Sequence, residues 1–180
     1  MNMRVRSELA EVKAHDAIEQ AHLDDAIAWV ESGALLFRLS KPATPPKHLV
    51  SYFALVDGEN ILLVDHKNAK LWLPTGGHVE PNEDPRVTVV RELKEELGLE
   101  ISIDEVGPPR MITVTKTVGL TTGHTDVSLW YVVRASKSAQ LTFDQDEFNE
   151  VRWFSFAEAP VHQSDPYLGK FLAKLSATEA

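Results

Sequence analysis

The sequence contains no cysteine. That excludes a disulfide framework and any thiolate nucleophile or metal ligand. No apolar run approaches the roughly 18 residues that a membrane-spanning helix needs, and the first residues lack the apolar core of a secretory signal. Positive charge is in deficit: 18 Lys and Arg stand against 27 Asp and Glu, a formal net charge of −9. Neither a nucleic-acid polymer nor a membrane is therefore expected as a partner. A small phosphorylated substrate is still compatible, because a bound metal ion supplies positive charge locally. Internal repeats, long linkers and low-complexity segments are also missing. The expected location is cytoplasmic.

What is present is an ordinary globular mix, 43% hydrophobic and 25% charged over 180 residues, enough for a substantial core. The densest stretch runs from Gly76 to Leu99, GGHVEPNEDPRVTVVRELKEELGL. Its second part reads as one helix, Pro85 to Leu97. Asp84 is a good N-cap, Pro85 suits the first helical position, and Gly98 suits the left-handed residue that ends a helix. Projected at about 100° per residue, Val87, Val89, Val90, Leu93 and Leu97 share an arc of roughly 160°. Glu92, Glu95, Glu96 and Thr88 fall opposite, with Arg91 at their edge. The spacing therefore predicts a core face and an acidic face. Carboxylates at i, i+3 and i+4 are neighbours and repel. A divalent cation turns that repulsion into chelation, and Mg²⁺ prefers such oxygen ligands while keeping waters and bridging to phosphates.

This stretch resembles the Nudix box, the signature of the Nudix hydrolase family to which MutT belongs. The pattern is Gly-x5-Glu-x7-Arg-Glu-aliphatic-x-Glu-Glu-x-Gly-aliphatic. Gly77, Glu83, Arg91, Glu92, Leu93, Glu95, Glu96, Gly98 and Leu99 fill every defined position. The resemblance implies an α/β/α sandwich with a mixed sheet, and metal-dependent hydrolysis of a pyrophosphate bond in a nucleoside diphosphate linked to another moiety. It implies Mg²⁺, with Mn²⁺ as a substitute, held by Glu92, Glu95, Glu96 and the carbonyl of Gly76. Arg91 would position the carboxylates, and Glu83 would support the loop and metal shell beside the substrate. The glycine pair, Gly76 and Gly77, would let the backbone turn tightly and come close to the metal and phosphates. The general base differs among family members: here it is Glu92, Glu95 or, on a later acidic loop, Glu147.

The rest of the chain frames the box. Residues 1 to about 33 read as helical, with Ser7 to His15 and Ala17 to Val30 as separate segments; Leu23, Ala26, Ile27 and Val30 share an apolar arc, and Glu19 intrudes on it. This N-terminal helical extension, residues 1–45, carries no chemical motif. Its role is packing on the hydrolase domain (46–180), homodimer formation or a lid. Leu35 to Leu39 reads as a short strand and Lys41 to Pro46 as a loop. Strands are expected at His48–Asp57, Asn60–Asp65, Lys70–Pro74, Ile101–Val106, Arg110–Val118, His124–Ala135 and Glu150–Phe156. Gly119–Gly123 reads as a loop. A last helix, Pro166 to Ser176, has Asp165 as cap and Leu168, Phe171, Leu172 and Leu175 as its stripe.

Several further residues have two readings each. Trp72 stacks on a base or packs on the sheet. His78 contacts phosphate or sits on the strand surface. His124 and Asp126 contact substrate or shape a turn, Arg110 meets a phosphate or solvent, and His48 is structural. Subfamily signatures outside the box narrow the substrate. The coenzyme A type's arginine motif does not match Ile61–Gly77. Pro108 and Pro109 come too early for the ADP-ribose type. Residues 112–118 lack the tyrosine of the dinucleoside polyphosphate type, and the NADH type's tail is absent. A MutT-like hydrolase of a nucleoside triphosphate or related nucleotide is left. Isopentenyl diphosphate isomerase shares the fold but uses a cysteine. The alternative of another class is a non-catalytic, regulatory nucleotide-binding domain.

Overall fold

The computed structural model describes residues 2–40, 44–117 and 123–179. Two helices, α1 (Asn2–Glu11) and α2 (Ala17–Glu31), precede the strands. The sheet comprises β1 (Lys47–Asp57), β2 (Asn60–His66), β3 (Leu71–Leu73), β4 (Thr75–His78), β5 (Met111–Lys116), β6 (Thr125–Arg134) and β7 (Phe148–Ser155). Helix α3 (Pro85–Leu97) follows β4, and α4 (Leu168–Glu179) is the last element. The main sheet order is β3-β2-β1-β6-β5, with β4 on β1 and β7 on β2. β1 and β6 run parallel from Lys47↔Thr125 to Val56↔Arg134, and the other pairs are antiparallel.

β1 and β2 are nearly continuous apolar runs because both faces of the sheet are covered. Leu49, Phe53 and Leu55 of β1, with Val127, Leu129, Tyr131 and Val133 of β6, face the core shared with α1, α2 and α3. Ala54, Val56, Trp130, Ile61 and Leu63 face the opposite side, which Phe171, Leu172 and Leu175 of α4 close. This is the α/β/α sandwich expected. The alternation expected for β6 is present. So are the caps of α3: the Asp84 carboxylate accepts from the Arg86 N–H, and Gly98 has φ +64°.

The expectations fail at four places. Ile101–Val106 is not a strand but contains a 3-10 turn over Ile103–Glu105, because Ser102 and Glu105 cap each other's backbone. Leu35–Leu39 forms no strand. The glycine stretch, expected as a turn, is β4, paired from Val50↔His78 to Phe53↔Thr75. On α3, Val87 is 40% exposed while Thr88 and Glu96 are buried. The helix lies against β4 as well as the core, so part of its acidic face is covered. The loop expected at 119–123 lies outside the described residues except for Gly123, as do residues 41–43.

The N-terminal helices are built into the molecule. Val5, Leu9 and Val12 of α1 and its exit join the core of the sheet. Glu8, 7% exposed, accepts from Arg86 Nε at 3.0 and 3.1 Å and from the Tyr131 hydroxyl at 3.0 Å. Glu19, the residue that intruded on the apolar arc of α2, is also buried. Its carboxylate meets Lys174 of α4 at 2.6 Å and the His15 N–H at 2.8 Å. A buried charge is tolerated when it is paired and hydrogen-bonded in this way. Replacing Glu8 with Ala removes the ion pair of Arg86, which keeps only its bond to the Val106 carbonyl, and the acceptor of the Tyr131 hydroxyl. Urea unfolding should show a loss of about 2–3 kcal/mol, discounted from a fully buried pair because Arg86 is part-exposed.

Candidate functional site

β1 has two neighbours on one edge. Its first half pairs with β4, but β2 pairs with it only at the far end, Val56↔Ile61 and Asp57↔Asn60. β1 and β2 splay apart between these points and open a cavity of about 320 Å³. Tyr52, Val64, Leu71, Leu73 and Pro74 form an apolar part of its wall. Gly76, Gly77, His78, Glu96, Asp126 and Glu147 form a polar part, and Lys116 lies on the rim. An apolar wall facing convergent polar groups suits a ligand with an organic moiety and a charged one.

The two glycines are required by close approach. A Cβ on Gly76 would lie 2.6 Å from the Tyr52 ring and 2.9 Å from the Ser51 carbonyl oxygen. A Cβ on Gly77 would collide with the Glu92 carboxylate. β1 and α3 are also tied by Ser51, whose hydroxyl donates to the Pro85 carbonyl at 2.7 Å.

Arg91 organises the box. Its guanidinium donates to Glu83 at 2.9 and 3.0 Å, to Glu92 at 2.6 Å, to Glu95 at 3.3 Å and to the His78 carbonyl at 3.3 Å. Burial alone would raise Glu83. Hydrogen bonds from Arg91, the Glu80 N–H and Thr88 outweigh it and hold the carboxyl below its usual range. Glu92 goes the other way, raised mainly by burial despite Arg91. Glu95 is mostly exposed. Glu96 is buried, and burial followed by repulsion from Glu92 and Glu147 pushes its carboxyl up to about 9, although the Gly76 N–H bonds to it. Its Oε2 is a buried oxygen without a hydrogen-bond partner. A cation beside that oxygen would remove both penalties, so these residues fit the divalent ion that the box implies.

The acidic loop reaches the same place. The C-terminal end of α3 accepts two of its N–H groups: Thr142 on the Leu97 carbonyl and Asp144 on the Glu96 carbonyl, both at 3.0 Å. Glu147 thereby faces the cavity with Glu96, and His66 Nε2 lies 3.5 Å from its carboxylate. Trp72 is placed elsewhere. Its ring packs edge-on against Phe154 at 5.1 Å and under Arg152 at 5.2 Å, while Leu71 and Leu73 face the cavity. Arg110 is apart from the box as well, on a surface hollow with Glu105 and Arg134. Glu83 is taken up by Arg91 and Thr88 and acts as a brace.

The sequence offers His124 and Asp126 as one candidate, His78 as another, and His48 as a structural residue. The structure makes them one group, all ligand atoms within 4.8 Å of one another, and His48 is fully buried. Only the i, i+2 spacing of His124 and Asp126 hinted at it; strand register does the rest, setting His48 beside Asp126. Arg38, whose charge is felt by His78 and Asp126, carried no sequence signal. Burial is the main cause that pushes His78 down to about 3. A Gly77→Ala variant should lose about 1–3 kcal/mol of stability in urea, because Glu92 must leave Arg91 to admit the methyl group.

Comparison with known proteins adds the family. Residues 47–175 match the NUDIX domain model. CTP pyrophosphohydrolase of Escherichia coli (strain K12) is 39% identical over 57 residues, 29% of this chain and 42% of that protein. The chain thus spans less than half of that relative. A MutT-like protein of Streptomyces ambofaciens is 26% identical over 146 residues, covering 78% of this chain and 88% of the relative. The crystal structure of a MutT NUDIX hydrolase from Burkholderia pseudomallei superposes with a TM-score of 0.58 at 22% identity, over 72% of this chain and 98% of that one, and so shares the fold. Since the matched residues run from the start of β1 into α4 and include the whole box, this chain belongs to the NUDIX domain family.

Proposed function

We propose that the chain hydrolyses a pyrophosphate bond in a nucleoside triphosphate or a related nucleoside diphosphate derivative, with a divalent cation, Mg²⁺ or Mn²⁺. The observation that carries this reading is Glu96: a buried carboxylate with an unpartnered oxygen, on the cavity wall beside Gly76, Gly77 and Glu147. Glu92, Glu95 and Glu96 would hold the cation together with the Gly76 carbonyl. The bound ion would neutralise phosphoryl oxygens and make water easier to deprotonate.

The protein's own groups do the remaining work. Gly76 and Gly77 let β4 lie directly against Tyr52 and the Glu92 carboxylate, which brings the strand backbone to the cavity wall. The wall of Tyr52, Val64, Leu71 and Leu73 takes the organic part of the substrate by contact rather than by hydrogen-bond readout. Arg91 keeps Glu92 turned toward the Gly77 backbone. Glu147 accepts the proton of the attacking water. Its position in the cavity, fixed by the bonds of its loop to α3, supports it over Glu95, which is mostly exposed and touches Arg91. The relative named CTP pyrophosphohydrolase places a pyrimidine triphosphate on the panel to be assayed. Residues 1–45 act as an integral packing extension of the hydrolase domain, not as a source of metal ligands.

Phosphate and pyrophosphate release with Mg²⁺, across triphosphates, nucleotide sugars, ADP-ribose and dinucleotides, tests the reaction. Millimolar Mn²⁺ should raise the melting temperature, because it binds the folded state. Glu96→Gln keeps the volume and should reduce turnover about 100-fold, roughly 3 kcal/mol of transition-state stabilisation. Glu147→Gln should reduce turnover strongly with Mn²⁺ affinity intact; wild-type turnover would return the base to the box. No hydrolysis on the whole panel, with Glu96→Gln silent in every assay, would leave a nucleotide-binding module.

A further inference from the structure

We propose that His48, His78, His124 and Asp126 form a second metal site, separate from the box carboxylates, that holds one tetrahedral Zn²⁺. The proposal does not rest on the reaction suggested above.

The ligand atoms already lie at the separations such an ion imposes. With bonds of about 2.0–2.2 Å, tetrahedral zinc sets its ligand atoms about 3.4 Å apart. His48 Nε2 is 3.0 Å from His78 Nε2 and 3.2 Å from Asp126 Oδ1. His124 Nε2 is 3.4 Å and His78 Nε2 3.9 Å from the same Asp126 oxygen. Among the described residues, no other group of three or more His, Asp or Glu side chains comes together in this way. Asp126 Oδ1 is buried and lacks a hydrogen bond of proper geometry, which a metal bond would replace.

The outer contacts prepare the nitrogens for this role. His48 Nδ1 lies 2.9 Å from the Pro45 carbonyl, an acceptor only, so it carries the proton and the Nε2 lone pair points at His78 Nε2, into the cluster. Thr117 donates its hydroxyl to the His124 carbonyl, leaving its oxygen to accept from His124 Nδ1 at 3.2 Å. His124 Nε2 is thereby also set as a ligand. His48 and His124 are buried, whereas His78 and Asp126 are 25% and 21% exposed and open onto the cavity, which gives the ion an entry path. Three imidazoles and a carboxylate favour zinc over magnesium, which prefers an all-oxygen octahedron. Four protein ligands close the shell, so the ion is structural rather than catalytic.

Its effect would be to staple β1, β4 and the β6 start at one point. The staple bears on the box, because the His78 carbonyl accepts from Arg91. A net charge of +1 would also face the cavity that Glu96 and Glu147 line.

The full chain, stripped with a chelator and then dialysed against Zn²⁺, should retain one zinc per chain by elemental analysis. Co²⁺ in its place should give the intense visible absorption of a tetrahedral complex. His124→Gln and Asp126→Asn should each weaken zinc affinity by at least about 100-fold. Glu96→Gln should keep the zinc content and the Co²⁺ spectrum unchanged. The Co²⁺ spectrum of the unaltered chain stands even if the variants fold poorly. Failure to retain zinc, an octahedral Co²⁺ spectrum, or zinc that survives His124→Gln but disappears in Glu96→Gln would overturn the proposal. Because the readouts are metal content and absorption, they fail or succeed independently of turnover.

Discussion

At the junction of β4 and α3, one guanidinium touches three glutamates and a main-chain carbonyl. Arg91 faces Glu83, Glu92 and Glu95 while also holding the His78 carbonyl, and Glu96 lies a turn beyond. Close carboxylates repel by several kilocalories where water is scarce. One cation cannot neutralise that cluster, so the folded chain retains a surplus of negative charge around the glycines. The rest of the site follows from how the surplus is contained. Glu83 is held ionised by direct bonds, Glu95 is left to solvent, and Glu96 is pressed toward the neutral form.

This constraint explains why backbone and side chain are so closely fitted. Glu92 occupies the volume where Gly77 would have a side chain, so strand and helix share one layer of space. The strand then needs no apolar face of its own; it is locked to β1 by hydrogen bonds and to α3 by carboxylates. The cavity beside such a strand has main chain and acid on that side, facing the apolar wall of Tyr52, Val64, Leu71 and Leu73.

The legible parts of the sequence were those governed by local rules. The limits of α3 follow from Asp84, Pro85 and Gly98, and period-two alternation gives β6 its two faces. The failures were tertiary. Helical projection places Glu96 with the solvated residues, but β4 covers that arc. Ile101–Val106 has strand-forming residues, yet Ser102 and Glu105 satisfy each other's backbone first. The grouping of His48, His78 and His124 depends on pairing β1 with both β4 and β6, and no local pattern encodes that. Glu19 looked like a defect in an amphipathic helix until α4 supplied Lys174.

That last pair reaches across most of the chain, and it bears on synthesis. Residue 19 leaves the ribosome long before residue 174 exists. During that interval the α2 carboxylate cannot be desolvated without a partner, since an unpaired buried charge is strongly unfavourable. The Glu19 end of α2 therefore stays solvated until α4 brings Lys174 to it. Contacts of such long sequence separation slow folding and prolong the exposure of sticky intermediates. In this chain α4 supplies the partner for a charge that α2 buries 155 residues earlier in the sequence.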